Sequence, residues 1–296
     1  MRNPIDVLAT VRPPFLVLTP ACVLLGLATA LWTAEGARAG YFGLALLGAL
    51  CAHISVNAFN EYGDFKSGLD SITRRTPFSG GSGTLPARPE LARGTLAIAL
   101  VTLTLTGLIG LYFVRARGAT LLPLVVVGLL VVTAYTRWIT RSRWLCLIAP
   151  GLGFGLMVVG TDVVLTGRYS WTALAASCVP FFLVSNLLLL NQFPDVDADR
   201  SVGRRHLPIS VGRRASSLVY AAFLLAAGLS IVLAVATGHL PRTCLIALIA
   251  FVPAGPVAVG AYRHAESTER LVPLLGLNVL VTVLTPVLVA AGLFIG

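Results

Sequence analysis

The sequence predicts an all-α, polytopic membrane protein with nine transmembrane helices in a single domain, residues 1–296, and three observations predict it. The chain is 56% hydrophobic and only 11% charged, with a mean hydropathy of +0.87, whereas about a quarter of the residues of a soluble domain are charged. Its apolar residues gather in runs of roughly 20, the length at which a helix crosses a ~30 Å hydrocarbon core. The runs are continuous, without the apolar–polar alternation of a membrane β-barrel strand.

Taken in order, the spans are expected at about 14–33, 41–62, 92–114, 119–136, 144–166, 171–192, 215–237, 242–262 and 271–295. Charge supports this count. With nine spans and an inner N-terminus, 17 of the 22 Lys and Arg residues fall on the inner side, from Arg2 and Arg12 to Arg263 and Arg270. Only Arg38, Arg115, Arg117, Arg168 and Arg242 fall outside, as the positive-inside rule requires. The formal charge of +10 is then a product of topology and is no sign of nucleic-acid binding. The expected location is the cell (inner) membrane, with the N-terminus cytoplasmic.

The first span opens after Arg12-Pro13-Pro14 and carries Pro20 and Gly26, small or rigid residues suited to close helix packing. Ala37-Arg38-Ala39 before Gly40 imitates a signal-peptidase site. The run from Pro14 to Thr33 exceeds a 7–15-residue signal core, so it is read as a retained span. The second span changes character partway, presenting His53, Ser55, Asn57, Asn60, Glu61 and Asp64. Polar groups at that depth are costly unless they line a hydrated cavity; His53 by itself reads as a hydrogen-bonded interior histidine.

A long polar stretch from Phe65 to Leu91 follows, holding Lys66, Asp70, Arg74, Arg75 and the run Gly80-Gly81-Ser82-Gly83. It reads as a flexible turn or as a lid whose bare amides approach phosphate oxygens. The third span is scaffold. The fourth ends in Tyr135-Thr136-Arg137-Trp138 before Arg141, with Trp138 and Trp144 as interface aromatics. The fifth has a packing face of Gly151, Gly153 and Gly155, and Asp162 near its outer end, expected to be solvated or paired with Arg168. The sixth ends Asn191-Gln192-Phe193-Pro194-Asp195, then Asp197, Asp199 and Arg200. Spans seven to nine are nearly free of interior charge, with Asn278 a lone amide awaiting a packing partner. The five cysteines are scattered singly and read as small buried apolar residues.

Six of the 12 acidic residues lie in two short windows, Glu61 to Asp70 and Asp195 to Asp199. Helical spacing of four puts Asn60 and Asp64 on one face, and likewise Asn191, Asp195 and Asp199, with Asp197 turned away. Carboxylates crowded in this way need a cation between them. Mg²⁺ tolerates a few carboxylates and completes its shell with water or phosphate oxygens, so the windows predict a metal-bridged diphosphate site.

Asn60-Glu61-x-x-Asp64 with Gly68 and Asp70, and Asp195-x-x-x-Asp199 with Arg200, Gly203 and Leu207, resemble the twin aspartate-rich motifs of the UbiA superfamily of intramembrane prenyltransferases. The similarity is strongest to the branch that prenylates 1,4-dihydroxy-2-naphthoate in menaquinone (quinone) synthesis; Glu61 stands where that branch has Asp, and Gln192 where it has Asn. The resemblance implies a UbiA-like bundle with a cytoplasmic-side active-site chamber, in which Mg²⁺ is held by Asn60, Asp64, Asp70, Asp195 and Asp199. It implies a prenyl diphosphate donor and an aromatic acceptor, with Asp64, Asp195 and Tyr135 catalytic. Lys66, Arg74, Arg137, Arg141, Asn57, Asn191 and Arg200 are expected to bind substrate. The alternatives are a relative that cyclises the isoprenoid without an acceptor, and, more remotely, a transporter.

Overall fold

The structure is a computed structural model that describes residues 4–34 and 38–296. Arg2 and Ala37, which entered the topology count and the cleavage motif, lie outside the described residues. Every regular element among those described is helical.

In chain order the α-helices are α1 (Leu18–Thr33), α2 (Ala39–Lys66), α3 (Leu69–Ile72), α4 (Thr84–Ala87), α5 (Ala92–Arg117), α6 (Leu122–Ala134), α7 (Arg143–Thr166), α8 (Trp171–Asn191), α9 (Val196–Ser201), α10 (Leu207–Val211), α11 (Arg213–Ala236), α12 (Ala254–Arg263) and α13 (Thr268–Ile295). Eight helical stretches among the described residues are long and apolar enough to cross a membrane. The expected fourth span is the exception. Ala119–Ala134 is apolar but shorter than the other eight, because Tyr135 and Thr136 leave the helix in a turn that leads to the polar cavity described below. The expected eighth span also departs from a plain α-helix, running as a 3₁₀ helix over Arg242–Phe251 before Pro253 and α12. The second span runs further than expected, to Lys66, so the polar residues after Asn57 form its last turns.

α8 is the most buried of the spans. It packs against α7, α11 and α13, while α1 lies on α7 and α13, and α2 pairs with α5. Glycine sets the closest approach: a Cβ on Gly151 would stand 1.9 Å from the Phe181 carbonyl oxygen, and one on Gly26 would stand 2.6 Å from that of Val158. The main core joins Leu25, Leu183, Leu190, Phe193, Tyr220 and Leu275. Two of its amide side chains are tied to Tyr220. The Tyr220 hydroxyl donates to Asn278 Oδ1 at 2.9 Å, and Asn186 Nδ2 donates to the Tyr220 carbonyl at 2.8 Å. Four cysteines are buried, Cys178 is half-buried, and none is in a disulfide.

One expectation at the outer end is overturned. Asp162 is fully buried and accepts from Ser170 Oγ at 3.0 Å. Arg168 turns instead to the Thr33 carbonyl at 2.8 Å, capping the end of α1 rather than the acid.

Candidate active site

Two helix ends and two loops assemble the polar site. The last turns of α2 bring Asn57, Asn60 and Asp64 onto one face, since residues three, four and seven apart on a helix superpose. Gly68, in the left-handed region at φ +78, turns the chain into α3 and carries Asp70 back toward that face. The second window is not one continuous helix. α8 ends at Asn191, a turn through Pro194 follows, and α9 begins after Asp195; proline has no amide to continue the ladder. Asp199 still stacks above Asp195, its amide donating to the Asp195 carbonyl at 2.8 Å.

These residues line one cavity of ≈ 150 Å³. Its walls include Asn57, Asn60, Asp64, Asp70, Tyr135, Asn191, Asp195 and Asp199, so the two windows meet. A second cavity of ≈ 290 Å³, almost wholly apolar, lies between α2, α5, α6 and α7, with Gly48, Phe113, Gly128, Phe154 and Val164 in its wall. Arg12, His53, Asn57, Asn60, Tyr135, Phe154 and Leu188 line both, so polar mouth and apolar chamber communicate. His53 sits at this junction, its Nδ1 hydrogen-bonded to Thr19 Oγ1 at 2.8 Å and its ring edge-on to Phe154.

Among the described residues, the arginines that line the polar cavity are Arg12 and Arg204, neither of which the sequence marked as a site residue. Arg204 bridges the windows, donating to Asp199 Oδ1 at 2.8 Å and forming an ion pair with Asp64. His206 Nε2 lies 2.7 Å from the other Asp199 oxygen. Arg12 pairs with Glu61 at 3.1 Å and reaches Asn60 Oδ1 at 3.5 Å. By contrast Lys66, Arg74, Arg137, Arg141 and Arg200 are exposed and line neither cavity. Arg74 is paired with Glu269 at 2.9 Å and Lys66 lies over the Tyr62 ring. The physical reason is position: these side chains leave the helix ends toward solvent, whereas Arg12 and Arg204 follow turns that fold back over the carboxylates. The available signal was their setting, Arg12 before two prolines and Arg204 after Gly203.

The loop after α3 covers the mouth. The Gly80 amide donates to Asp195 Oδ2 at 3.2 Å, the Ser82 amide donates to Glu61 at 3.0 Å, and Gly81 lies so near Asp70 that a Cβ would stand 2.7 Å from its Oδ1. Burial is the main force on the two loop carboxyls. It pushes Asp70 up to about 7, aided by the charges of Glu61 and Asp64. It also pushes Asp195 up to about 7, aided by Asp199 and opposed by hydrogen bonds from Ser79 and Gly80. Asp197 is exposed and pairs with Arg213 at 3.3 Å, away from the cavity as its helix phase predicts.

Among the described residues, no three His, Cys, Asp or Glu side chains converge closely enough to hold an ion alone. The oxygen donors nevertheless suit a hard cation. Asp70 Oδ2, Asn191 Oδ1 and Asp195 Oδ1 are buried without a hydrogen-bond partner, and all three residues line the same cavity. Buried oxygens in that condition are rare because each costs free energy, and carboxylate and carbonyl oxygens are the ligands Mg²⁺ takes.

Known proteins share both fold and sequence with this chain. It is 27% identical over 263 residues to a 1,4-dihydroxy-2-naphthoate octaprenyltransferase of Mycobacterium leprae, covering 86% of this chain and 84% of that one. It is 26% identical to the protein of the same name from Haemophilus influenzae over 97% and 95% of the two chains. Among solved structures, a UbiA homolog from Aeropyrum pernix superposes with a TM-score of 0.69 at 17% identity, over 95% of this chain and 98% of that one. One from Archaeoglobus fulgidus, solved with DMAPP and Mg²⁺, superposes at 0.62 and 11% identity over 97% and 99%. The model of the UbiA prenyltransferase family matches residues 17–275, a stretch that contains both acidic windows and most of the cavity between them, and the chain therefore belongs to the UbiA prenyltransferase family.

Proposed function

We propose that this integral membrane enzyme transfers a prenyl group from a prenyl diphosphate to an electron-rich aromatic acceptor of the 1,4-dihydroxy-2-naphthoate kind, with Mg²⁺ as its resident cation. The observation that carries the reading is the continuity of the two cavities: an acid- and arginine-lined mouth opens into an apolar chamber through Asn60, Tyr135 and Phe154. A prenyl diphosphate has that same division, a polyanionic head on a long hydrocarbon chain. The acceptor is suggested by the names of the similar naphthoate octaprenyltransferases, and Mg²⁺ by the Archaeoglobus structures holding it with DMAPP or GPP.

Asn60, Asp64, Asp70, Asn191, Asp195 and Asp199 are the residues that would hold the metal. When bound, Mg²⁺ neutralises charge on the departing diphosphate. Arg12 and Arg204 add fixed positive charge to the same pocket, and charge-assisted hydrogen bonds from guanidinium to phosphate are strong and directional. The exposed Lys66, Arg74, Arg137, Arg141 and Arg200 gather anionic donor to the rim by long-range attraction. As the allylic C–O bond breaks, the diphosphate keeps the electron pair and the carbon becomes cationic. A ring carbon of the acceptor then forms the new C–C bond and the ring gives up a proton or a displaced substituent. Tyr135, on the wall shared by both cavities, offers its π face to the developing cation, and the apolar chamber excludes the water that would otherwise capture it.

The mouth is read as facing the cytoplasm across the cell membrane, a reading that the distribution of Lys and Arg supports. Arg12, Arg204 and the exposed cations cluster around the mouth, while Arg38, Arg115, Arg117, Arg168 and Arg242 belong to the opposite end.

The test is incubation of purified protein and Mg²⁺ with dimethylallyl to octaprenyl diphosphates, each with dihydroxynaphthoate, hydroxybenzoate or homogentisate. A prenylated ring is expected with dihydroxynaphthoate, and its loss in Asp64→Ala and Asp195→Ala. Turnover that survives both substitutions would refute the site, and a cyclic isoprenoid formed without acceptor would replace transfer with cyclisation.

A further inference from the structure

Glu61 occupies the position after Asn60, inside the first acidic window, yet it lines neither cavity. A helix turns about 100° per residue, so the face that carries Asn57, Asn60 and Asp64 into the cavity turns residue 61 toward its flank. There Glu61 is fully buried, and both of its oxygens are engaged. Oε2 accepts from Arg12 through Nε at 3.3 Å and a terminal nitrogen at 3.1 Å. Oε1 accepts from the Ser82 amide at 3.0 Å and from the Ser82 hydroxyl.

We propose that Glu61 is a positioning residue and not a metal ligand: it clamps the loop around Gly80–Gly83 and the Arg12 hook onto α2, so that both are held over the mouth. The proposal deepens the prenyl-transfer reading and rests on it for the identity of the mouth. Three further observations carry it. The same loop is tied to the second window by the Gly80 amide on Asp195, so the Glu61 contact makes it a strap joined to both sides. Arg12 is the one non-glycine residue among those described with a positive φ, +52. That conformation is unfavourable for arginine and persists only where its surroundings impose it, and the Glu61 carboxylate is the anion that does so. Arg75 donates to the Ser82 carbonyl at 3.2 Å, so the strap is also braced from the solvent side. An aspartate is shorter by one carbon–carbon bond, about 1.5 Å, and cannot keep both Arg12 and Ser82 at hydrogen-bonding distance from this helix position.

The experiment uses the full chain in lipid nanodiscs, as wild type, Glu61→Asp, Glu61→Gln and Ser82→Ala, with Asp64→Asn as the metal-site control. Trypsin cleavage after the exposed Arg74 and Arg75 reports loop opening, calorimetry reports Mg²⁺ affinity, and kinetics separate donor KM from kcat. Loss of a charge-assisted hydrogen bond predicts cleavage about tenfold faster in Glu61→Asp and Ser82→Ala. Donor KM should rise with little change in kcat, while Mg²⁺ affinity stays within about twofold of wild type, a factor under 0.5 kcal/mol. Ser82→Ala keeps the Arg12–Glu61 pair, so it remains informative if the Glu61 variants fail to fold. Unchanged cleavage in Ser82→Ala, or Mg²⁺ affinity lost in Glu61→Gln as completely as in Asp64→Asn, overturns the clamp. Absence of Mg²⁺ binding to the wild type would sink the metal reading instead, and the cleavage rates would still decide the clamp.

Discussion

Asp64, at the end of α2, and Arg204, beyond α9, form a buried ion pair across 140 residues of sequence. Because the same guanidinium also holds Asp199, one side chain ties the two acidic windows together. Two carboxylates this buried would repel each other without it, so the pair is a condition for the mouth to exist as well as a feature of it.

Arg204→Met should therefore destabilise the protein by about 3 kcal/mol, the usual consequence of removing one partner of a buried pair. Thermal unfolding in detergent measures this. Added Mg²⁺ should recover part of the loss, since a ligand that binds only the folded state stabilises it by mass action. Arg204→Lys should fall between, because an ammonium cannot reproduce the two-pronged contact.

Acidity should act on Asp70 and Asp195 together. Both are pushed up to about 7 by burial and by neighbouring carboxylates, against about 3.9 in an unfolded chain. The folded state thus binds these protons more tightly, and their contribution to stability is complete below about pH 4 and lost as pH rises through about 7. In chelator, the melting temperature should fall between about pH 4 and 7. Asp70→Asn and Asp195→Asn should each flatten that slope. Mg²⁺ affinity should rise across the same interval, because the ion competes with those protons. A pH-independent affinity would contradict the assignment.

Gly128 faces the apolar chamber with open space where its Cβ would be. Gly128→Phe should fit without disturbing the fold and shorten the room for hydrocarbon. Turnover of octaprenyl diphosphate should fall about tenfold or more while dimethylallyl diphosphate is spared, since discrimination by pocket volume amounts to about 1–3 kcal/mol. Mass spectrometry of products from mixed donors gives the ratio directly.

Gly151 and Phe181 meet backbone to backbone where α7 crosses α8. Gly151→Ala should force the helices apart and destabilise by about 2 kcal/mol, in the range of overpacked cores. Gly153→Ala, whose Cβ would find only Val131 at 3.8 Å, should be close to neutral in the same melting assay.

Single glutamine substitutions of Lys66, Arg137, Arg141 and Arg200 should leave donor KM within about twofold at physiological salt, because exposed charges are screened over about 8 Å. Arg12→Gln and Arg204→Gln should raise it by about tenfold or more, the effect of deleting a charge-assisted contact in a buried pocket. Steady-state kinetics at two ionic strengths separates the groups: only the exposed set should depend on salt.

Much of this protein was legible in the sequence because the relevant physics is local. Apolar length marks a membrane-crossing helix whatever surrounds it, and the helical period places Asn57, Asn60 and Asp64 on one face and turns Asp197 away. Where three-dimensional contacts overrule local signals, the reading fell short. Asp162 looked like a surface acid and is buried against Ser170. Which of the many cations enter the mouth was decided only by the fold, since every arginine near a helix end looks alike in sequence. Arg12 and Arg204 reach the carboxylates because a strained turn and the return of a distant segment carry them there. Residue types and their order along the chain set which chemistry is present and in which spans, whereas the folded packing sets which charges face one another, because a carboxylate's partner depends on distances in space that spacing along the chain does not fix.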